Sequence, residues 1–284
     1  MTFTISAPPY KKMGVSIQKI MFSKVFALVP VSLISIYMFG LPALGIILIS
    51  VLAAVVTEAG IQKLFNQKIT IGNGHAVFIG ITLALIIPPD VPLWLPVIGS
   101  IFAVAIIKHA FGGIGSYVFN PTLGAWIFLT LAWTQLMTPA STPHIGQLSD
   151  LILENGAGFL IGVSPLALIG GVYLMYKKYI DWRVPLSFFV TAVLMVLLLK
   201  DDISYLITGA FLFGVMFLAS DMATSPVTKK GRIIYGIVCG ILTVLYGYFA
   251  NYVFAVFYGI FLANCLSPLI ENNTLPKPFG GVKK

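Results

Sequence analysis

Ser220-Asp221-Met222-Ala223-Thr224-Ser225-Pro226-Val227-Thr228-Lys229-Lys230-Gly231-Arg232 is a polar break, punctuated by proline and glycine, between two long apolar runs. Asp221 stands where one hydrophobic segment ends. Small hydroxyl residues and a proline then let the backbone bend close to a ligand, and three cations close the loop. In a mostly apolar chain, an ionisable residue at such a break marks the place to look for function.

The surrounding chain sets the class. Of 284 residues, 58% are hydrophobic and 9% charged, against about 25% charged in an ordinary soluble domain. Apolar runs recur along the whole length and read as ten spans, at residues 24–39, 41–60, 75–87, 93–109, 122–137, 160–176, 184–199, 205–219, 233–248 and 253–269. With the N-terminus inside, sixteen of the 17 Lys and Arg residues fall on the cytoplasmic side and only Lys200 falls outside. That asymmetry sets the orientation. It also accounts for the net charge of +8 without a nucleic-acid partner. Lys11, Lys12 and Lys19 precede the first run and no small-residue cleavage site follows it, so the run is expected to stay as the first span. The expected fold is an all-α integral membrane protein of about ten transmembrane helices, with both termini cytoplasmic.

Five spans followed by five would invert the second half relative to the first. Phe78-Ile79-Gly80, leading to Asp90, resembles Ile207-Thr208-Gly209, leading to Asp221. These belong to the third and eighth spans, both short for a crossing of about 20 residues. Short segments at matching positions of inverted halves point to a midplane or interfacial site; chance similarity among apolar strings is the alternative. The expected organisation is a cytoplasmic tail over residues 1–20, a five-helix repeat over 21–138, an outer loop over 139–159, a second repeat over 160–270 and a cytoplasmic tail over 271–284. The tails read as docking segments for partner subunits or as ordinary disordered ends.

A second polar loop joins the fourth and fifth spans. Gly112, Gly113 and Gly115 permit tight turns or close approach to a ligand. Asn120 offers an amide at a helix start, with Pro121 at the first helical position, although a plain N-cap would also explain that pair. By topology this loop shares a face with residues 220–232, so the two could form one polar pocket. Glu58, near the end of the second span, reads either as part of an ion path or as an acid snorkelling to the interface. His75 reads as a cap at a span start. Cys239 and Cys265 lack metal-ligand spacing and read as buried free thiols.

Phe111-Gly112-Gly113, Phe119-Asn120-Pro121, Gly170-Gly171-Val172-Tyr173, Arg183-Val184-Pro185-Leu186-Ser187-Phe188 and Asp221-Met222-Ala223-Thr224-Ser225-Pro226-Val227-Thr228 resemble, in the same order, motifs of the D-subunit family of Rnf ferredoxin:NAD oxidoreductase complexes. The B subunit of the sodium-translocating NADH:quinone oxidoreductase is similar but more distant. The likeness runs through nearly the whole chain. It implies ten helices in two inverted five-helix repeats carrying two flavins in the bacterial or archaeal cytoplasmic (inner) membrane. One is a non-covalent riboflavin held near Asn120 and Asp221. The other is FMN joined by a phosphoester to a threonine of the outer loop, which aligns with Thr142. There Leu136, Ser141 and His144 stand where the family has an acid, an alanine and a leucine, so an attached FMN and a plain loop threonine are both open readings.

The resemblance further implies a subunit that is not catalytic alone. It would relay electrons within a membrane complex whose other subunits reach ferredoxin or NADH, coupled to movement of sodium ions or protons. An inverted-repeat channel or secondary transporter for a small polar solute, without redox cofactor, would explain the short spans and glycine-rich loops. It would not explain the order of the motifs.

Overall fold

The structure, a computed structural model, describes residues 16–138, 160, 164–200, 203–250 and 252–276. Among these residues it is helical without a strand. The helices are α1 (Ile17–Phe39), α2 (Leu41–Leu64), α3 (His75–Leu85), α4 (Trp94–Ile101), α5 (Pro121–Ala132), the short α6 (Thr134–Met137), α7 (Ser164–Tyr176), α8 (Arg183–Leu199), α9 (Gly209–Phe213), α10 (Lys229–Phe249) and α11 (Tyr252–Thr274). Two of them continue as π-helix: α4 over Phe102–His109 and α9 over Gly214–Leu218. Among the described residues, four helices are long and apolar enough to cross a membrane, and six shorter apolar helices accompany them. The chain is a multi-pass membrane protein.

The helix ends follow local chemistry. Ser16 caps α1 by accepting from the Lys19 N–H at 3.2 Å, and Thr228 caps α10 by accepting from Gly231 at 3.0 Å. Gly40, at φ 69°, ends α1 and starts α2 without a longer loop. The first helix begins at Ile17, ahead of the start expected at residue 24, because Lys24 is neutralised inside the bundle. The last helix runs to Thr274, into the segment read as a tail.

The two short helices stand out. At about 1.5 Å per residue, the 11 residues of α3 span only about half of a hydrocarbon core. Each short helix follows a 3-10 turn, Ile71–Asn73 before α3 and Ile203–Ile207 before α9. After α3, the non-helical Ile86 and Ile87 are fully buried, where protein rather than lipid surrounds the backbone.

Packing repeats between the two parts of the chain. α1 packs on α3 as α7 packs on α9, α2 on α4 as α8 on α10, and α4 on α5 as α10 on α11. The two sets meet where α1 touches α7 and α5 touches α11. The seam of α5 and its preceding loop with α11 is aromatic: Trp126 lies 4.7 Å from Phe257 and the loop residue Phe119 lies 4.8 Å from Phe261, centroid to centroid.

α8 and α10 meet in a close glycine seam. A Cβ added to Gly240 would fall 2.9 Å from the Phe188 carbonyl oxygen, and one added to Gly236 would overlap Ser187 and lie 2.8 Å from the Val184 carbonyl oxygen. Small residues four apart let helix backbones approach where water supplies no hydrophobic drive. Replacing Gly236 or Gly240 with valine is expected to cost about 1–3 kcal/mol through overpacking, read as a lower unfolding temperature in detergent. Valine at Gly60, whose added Cβ meets nothing within 4 Å, should leave that temperature nearly unchanged.

Candidate functional site

The loop before α5 and the loop before α10 meet at one end of the bundle, with Asp221 at the junction. Asp221 is buried, as is Lys24, and the Lys24 ammonium donates to Asp221 Oδ1 at 3.0 Å. The Tyr117 hydroxyl donates to the other carboxylate oxygen at 3.1 Å. His75 Nε2 lies 3.1 Å from that same hydroxyl. Because Tyr117 gives its own proton to Asp221, the imidazole is the donor here, which leaves His75 Nδ1 as a lone-pair nitrogen. That nitrogen is buried without a hydrogen-bond partner. Lys24 also sits 5.1 Å from the centroid of the Phe78 ring. Lys24, Asp221, Tyr117 and His75 thus form a continuous buried chain that ties α1, α3 and both loops together.

Asn120 is next to this chain. Its carbonyl accepts from the Thr122 N–H at 3.0 Å, the N-cap read from the sequence, and its amide donates to the Leu218 carbonyl at 3.4 Å, at the end of the π-helix that precedes Asp221. The glycine loop behaves as read: Gly112, Gly113 and Gly115 have φ of 105°, 94° and 89°, where only glycine is unstrained. A cavity of about 170 Å³ is lined by Tyr117, Asp221, Gly115, Met21 and Ala223. The Thr224 hydroxyl nearby in sequence is buried without a partner. Asn120 and Asp221 are therefore brought to one polar junction. Thr142 and His144 lie outside the described residues.

A second buried pair was not legible in the sequence. Glu58 on α2 and Lys108 on the π-helical end of α4 are 2.7 Å apart, and both side chains are almost wholly enclosed. Gln62 donates to Glu58 at 3.2 Å and ties Thr70 in by two further bonds. Of the two readings of Glu58, snorkelling does not occur, because Lys108 gives its carboxylate a partner inside the protein. The pair borders a cavity of about 410 Å³ that also reaches Lys68, His109 and Gly112. Of the cysteines, Cys239 is buried as expected but Cys265 is exposed on the outer face of α11; both thiols are free.

A third charged group completes this end of the bundle. Asp181, before α8, accepts from Arg183 at 3.0 Å and is bridged to Arg232 on α10. Burial raises the Asp181 carboxyl, but the Arg183 backbone N–H and the Arg232 guanidinium outweigh it and hold it below the usual carboxylate range. Its stabilising pairs are thus fully present above the unfolded aspartate value of about 3.9 and are lost only as pH falls through the depressed folded value. The three charged groups adjoin: Ile17 lines both the Glu58 and the Asp221 cavities, and Met222 links the latter to the cavity around Asp181. Of the cations read as one-sided, Lys24, Lys68, Lys108, Lys178, Arg183 and Arg232 therefore gather at this end.

The enclosed Lys24–Asp221 pair sets an energetic test. Lys24→Met or Asp221→Leu alone leaves an uncompensated buried charge and is expected to cost about 3–5 kcal/mol, whereas the double variant recovers most of that loss. Unfolding of the four proteins in detergent checks it; single costs that simply add would show that the pair is not coupled.

Comparison with known proteins gives a consistent result. Residues 4–280 match the model of the NQR2, RnfD, RnfE family. The D subunit of the ion-translocating oxidoreductase complex of Methanosarcina acetivorans is 53% identical, over 99% of this chain and 98% of its own. The D subunit of the Na(+)-translocating ferredoxin:NAD(+) oxidoreductase complex of Acetobacterium woodii is 37% identical, over 100% and 97% of the two chains. The proton-translocating counterpart from Clostridium ljungdahlii is 34% identical, over 98% and 96%. With the match covering nearly every residue, this chain belongs to the NQR2, RnfD, RnfE family.

Proposed function

We propose that this chain is the flavin-carrying membrane subunit of an ion-translocating electron-transport complex, relaying electrons between two flavins and partner subunits that reach ferredoxin or NAD. The reading rests on one observation above all, the 53% identity to the Methanosarcina acetivorans protein along practically the full length of both chains. Relatives named for sodium and for proton translocation are both similar to it, so the coupling ion is one of these two. The matched packing of α1–α5 and α7–α11 supports two inverted repeats. The gathering of cations at the end that holds both loops supports a cytoplasmic face there, in the cytoplasmic membrane.

Riboflavin is the group we assign to the Asn120 and Asp221 junction. The residues suit its polar edge. The Asp221 oxygens each accept one bond in the protein and keep further lone pairs, while the Thr224 hydroxyl and His75 Nδ1 are buried without partners. A bound flavin would supply the one- and two-electron chemistry that no side chain here provides. This chain's own part is electrostatic: Lys24 holds the Asp221 charge in place, and Tyr117 and His75 fix protons at defined atoms beside it. The second flavin, FMN, is assigned to Thr142 by alignment with the family's attachment residue.

Intact-mass measurement of the chain, purified from its host and denatured, tests the outer assignment. An increment equal to FMN minus water is expected, absent in Thr142→Ala; an unmodified wild-type mass would exclude it. For the inner site, Asn120→Ala is expected to lose non-covalent flavin from the undenatured complex while the covalent increment stays. Retention of full flavin by a correctly assembled Asn120→Ala complex would move riboflavin elsewhere.

A further inference from the structure

Where the charged end of the bundle meets its apolar flank, a cavity of about 410 Å³ opens around Lys178, Asp181, Arg183 and Arg232. Three cations there face a single acid. Alongside runs a groove of about 300 Å³ with almost no polar lining, walled by Leu168 of α7, Leu186 and Phe189 of α8, and Leu212 and Val215 of α9 and its π-helical end. Met175 and Trp182 line both spaces, so the cationic cavity and the apolar groove lie side by side.

The donors in the cavity are only partly used. Arg183 spends Nη1 on the two Asp181 oxygens, and Arg232 spends Nη1 on Asp181 and Nε on the Pro226 carbonyl at 3.0 Å. The second terminal nitrogen of each guanidinium and the Lys178 ammonium have no protein partner among the described residues. Asp181 thus orients two guanidinium forks without exhausting them. The backbone points the same way. Lys178, just beyond α7, has φ 60°, a left-handed position that usually falls to glycine, and lines the cavity. Arg183 lies 5.1 Å from the centroid of the Trp182 ring, an aromatic of the kind that sits at headgroup level.

We propose that this bipartite site binds one anionic membrane phospholipid, with the phosphodiester held by Lys178, Arg183 and Arg232 and an acyl or isoprenoid chain lying in the groove formed by α7, α8 and α9. The order of the two parts argues for a lipid. A soluble anion would need only the cavity and an apolar molecule only the groove, whereas a phospholipid needs a cationic pocket at the charged end bordering an apolar track along the helices. The inference is independent of any flavin.

Native mass spectrometry of the complex in detergent tests it, with three added probes: a phosphatidylglycerol, a phosphatidylcholine with the same chains, and glycerol phosphate. Phosphatidylglycerol is expected to be retained at least about fivefold more tightly than phosphatidylcholine, since each surface cation contributes about fivefold, and glycerol phosphate, which lacks chains to fill the groove, not at all. Lys178→Gly, which removes a cation and also relaxes the backbone, should weaken phosphatidylglycerol binding about fivefold without harming the fold. Leu168→Trp, filling the groove from its exposed wall, should weaken both lipids and leave the cavity intact. Equal retention of the two lipids, or no effect of either substitution, overturns the proposal. Glycerol phosphate held as tightly as phosphatidylglycerol overturns it too, and makes the cavity a site for a soluble anion.

Discussion

A lysine and an aspartate removed from water and set 3.0 Å apart, Lys24 with Asp221, constrain much of this molecule. Neither charge is tolerable alone in an apolar bundle. Their pairing requires α1 to run past the loop that follows α9, and that loop cannot leave the bundle without stranding the buried Lys24 ammonium. Tyr117 and His75 extend the constraint to the loop before α5 and to the start of α3. The polar end is therefore assembled from distant parts of the chain by one requirement, that every buried charge has a partner. Glu58 with Lys108 and Asp181 with Arg232 obey the same rule on either side.

That rule also explains what could be read from the residues and what could not. The helical multi-pass class, the shortness of α3 and α9, the N-cap at Asn120 and the glycine loop were all legible, because each is set by composition, by local periodicity or by one residue's backbone preference. The pairing was not. Lys24 looks from its neighbours like the end of a run, and Glu58 looks like an acid reaching for water, because a partner 197 residues away, as Asp221 is from Lys24, leaves no trace in a local window. A weak signal did exist: a lone charge one or two turns inside an apolar run asks for an opposite charge, and the chain offers few.

The junction of Asn120 and Asp221 was anticipated from topology and from family likeness, and the geometry adds the reason for their proximity. Asn120 bonds the Leu218 carbonyl, freed at the close of a π-helical turn, so the amide completes the helix end that leads into Asp221. Tyr117 was not singled out and His75 was read only as a cap, because a tyrosine in a loop and a histidine at a helix start each have an ordinary explanation. Gly74 takes the cap position and His75 turns to Tyr117 instead. Only their shared contact distinguishes them.

The π-helical ends of α4 and α9 carry a consequence of a different kind. Their backbone bonds reach five residues back, as from Ala110 to Ala105 and from Ala219 to Gly214. Each therefore accommodates an extra residue and turns the chain beyond it by about 100° relative to a plain α-helix. Lys108 and Asp221 both owe their bearing to that offset. Chain length is thereby an ingredient of chemistry in this protein: a single-codon deletion in either segment would change no charged residue and yet aim them all elsewhere, so these two stretches should resist insertions and deletions more strongly than the lipid-facing helices around them.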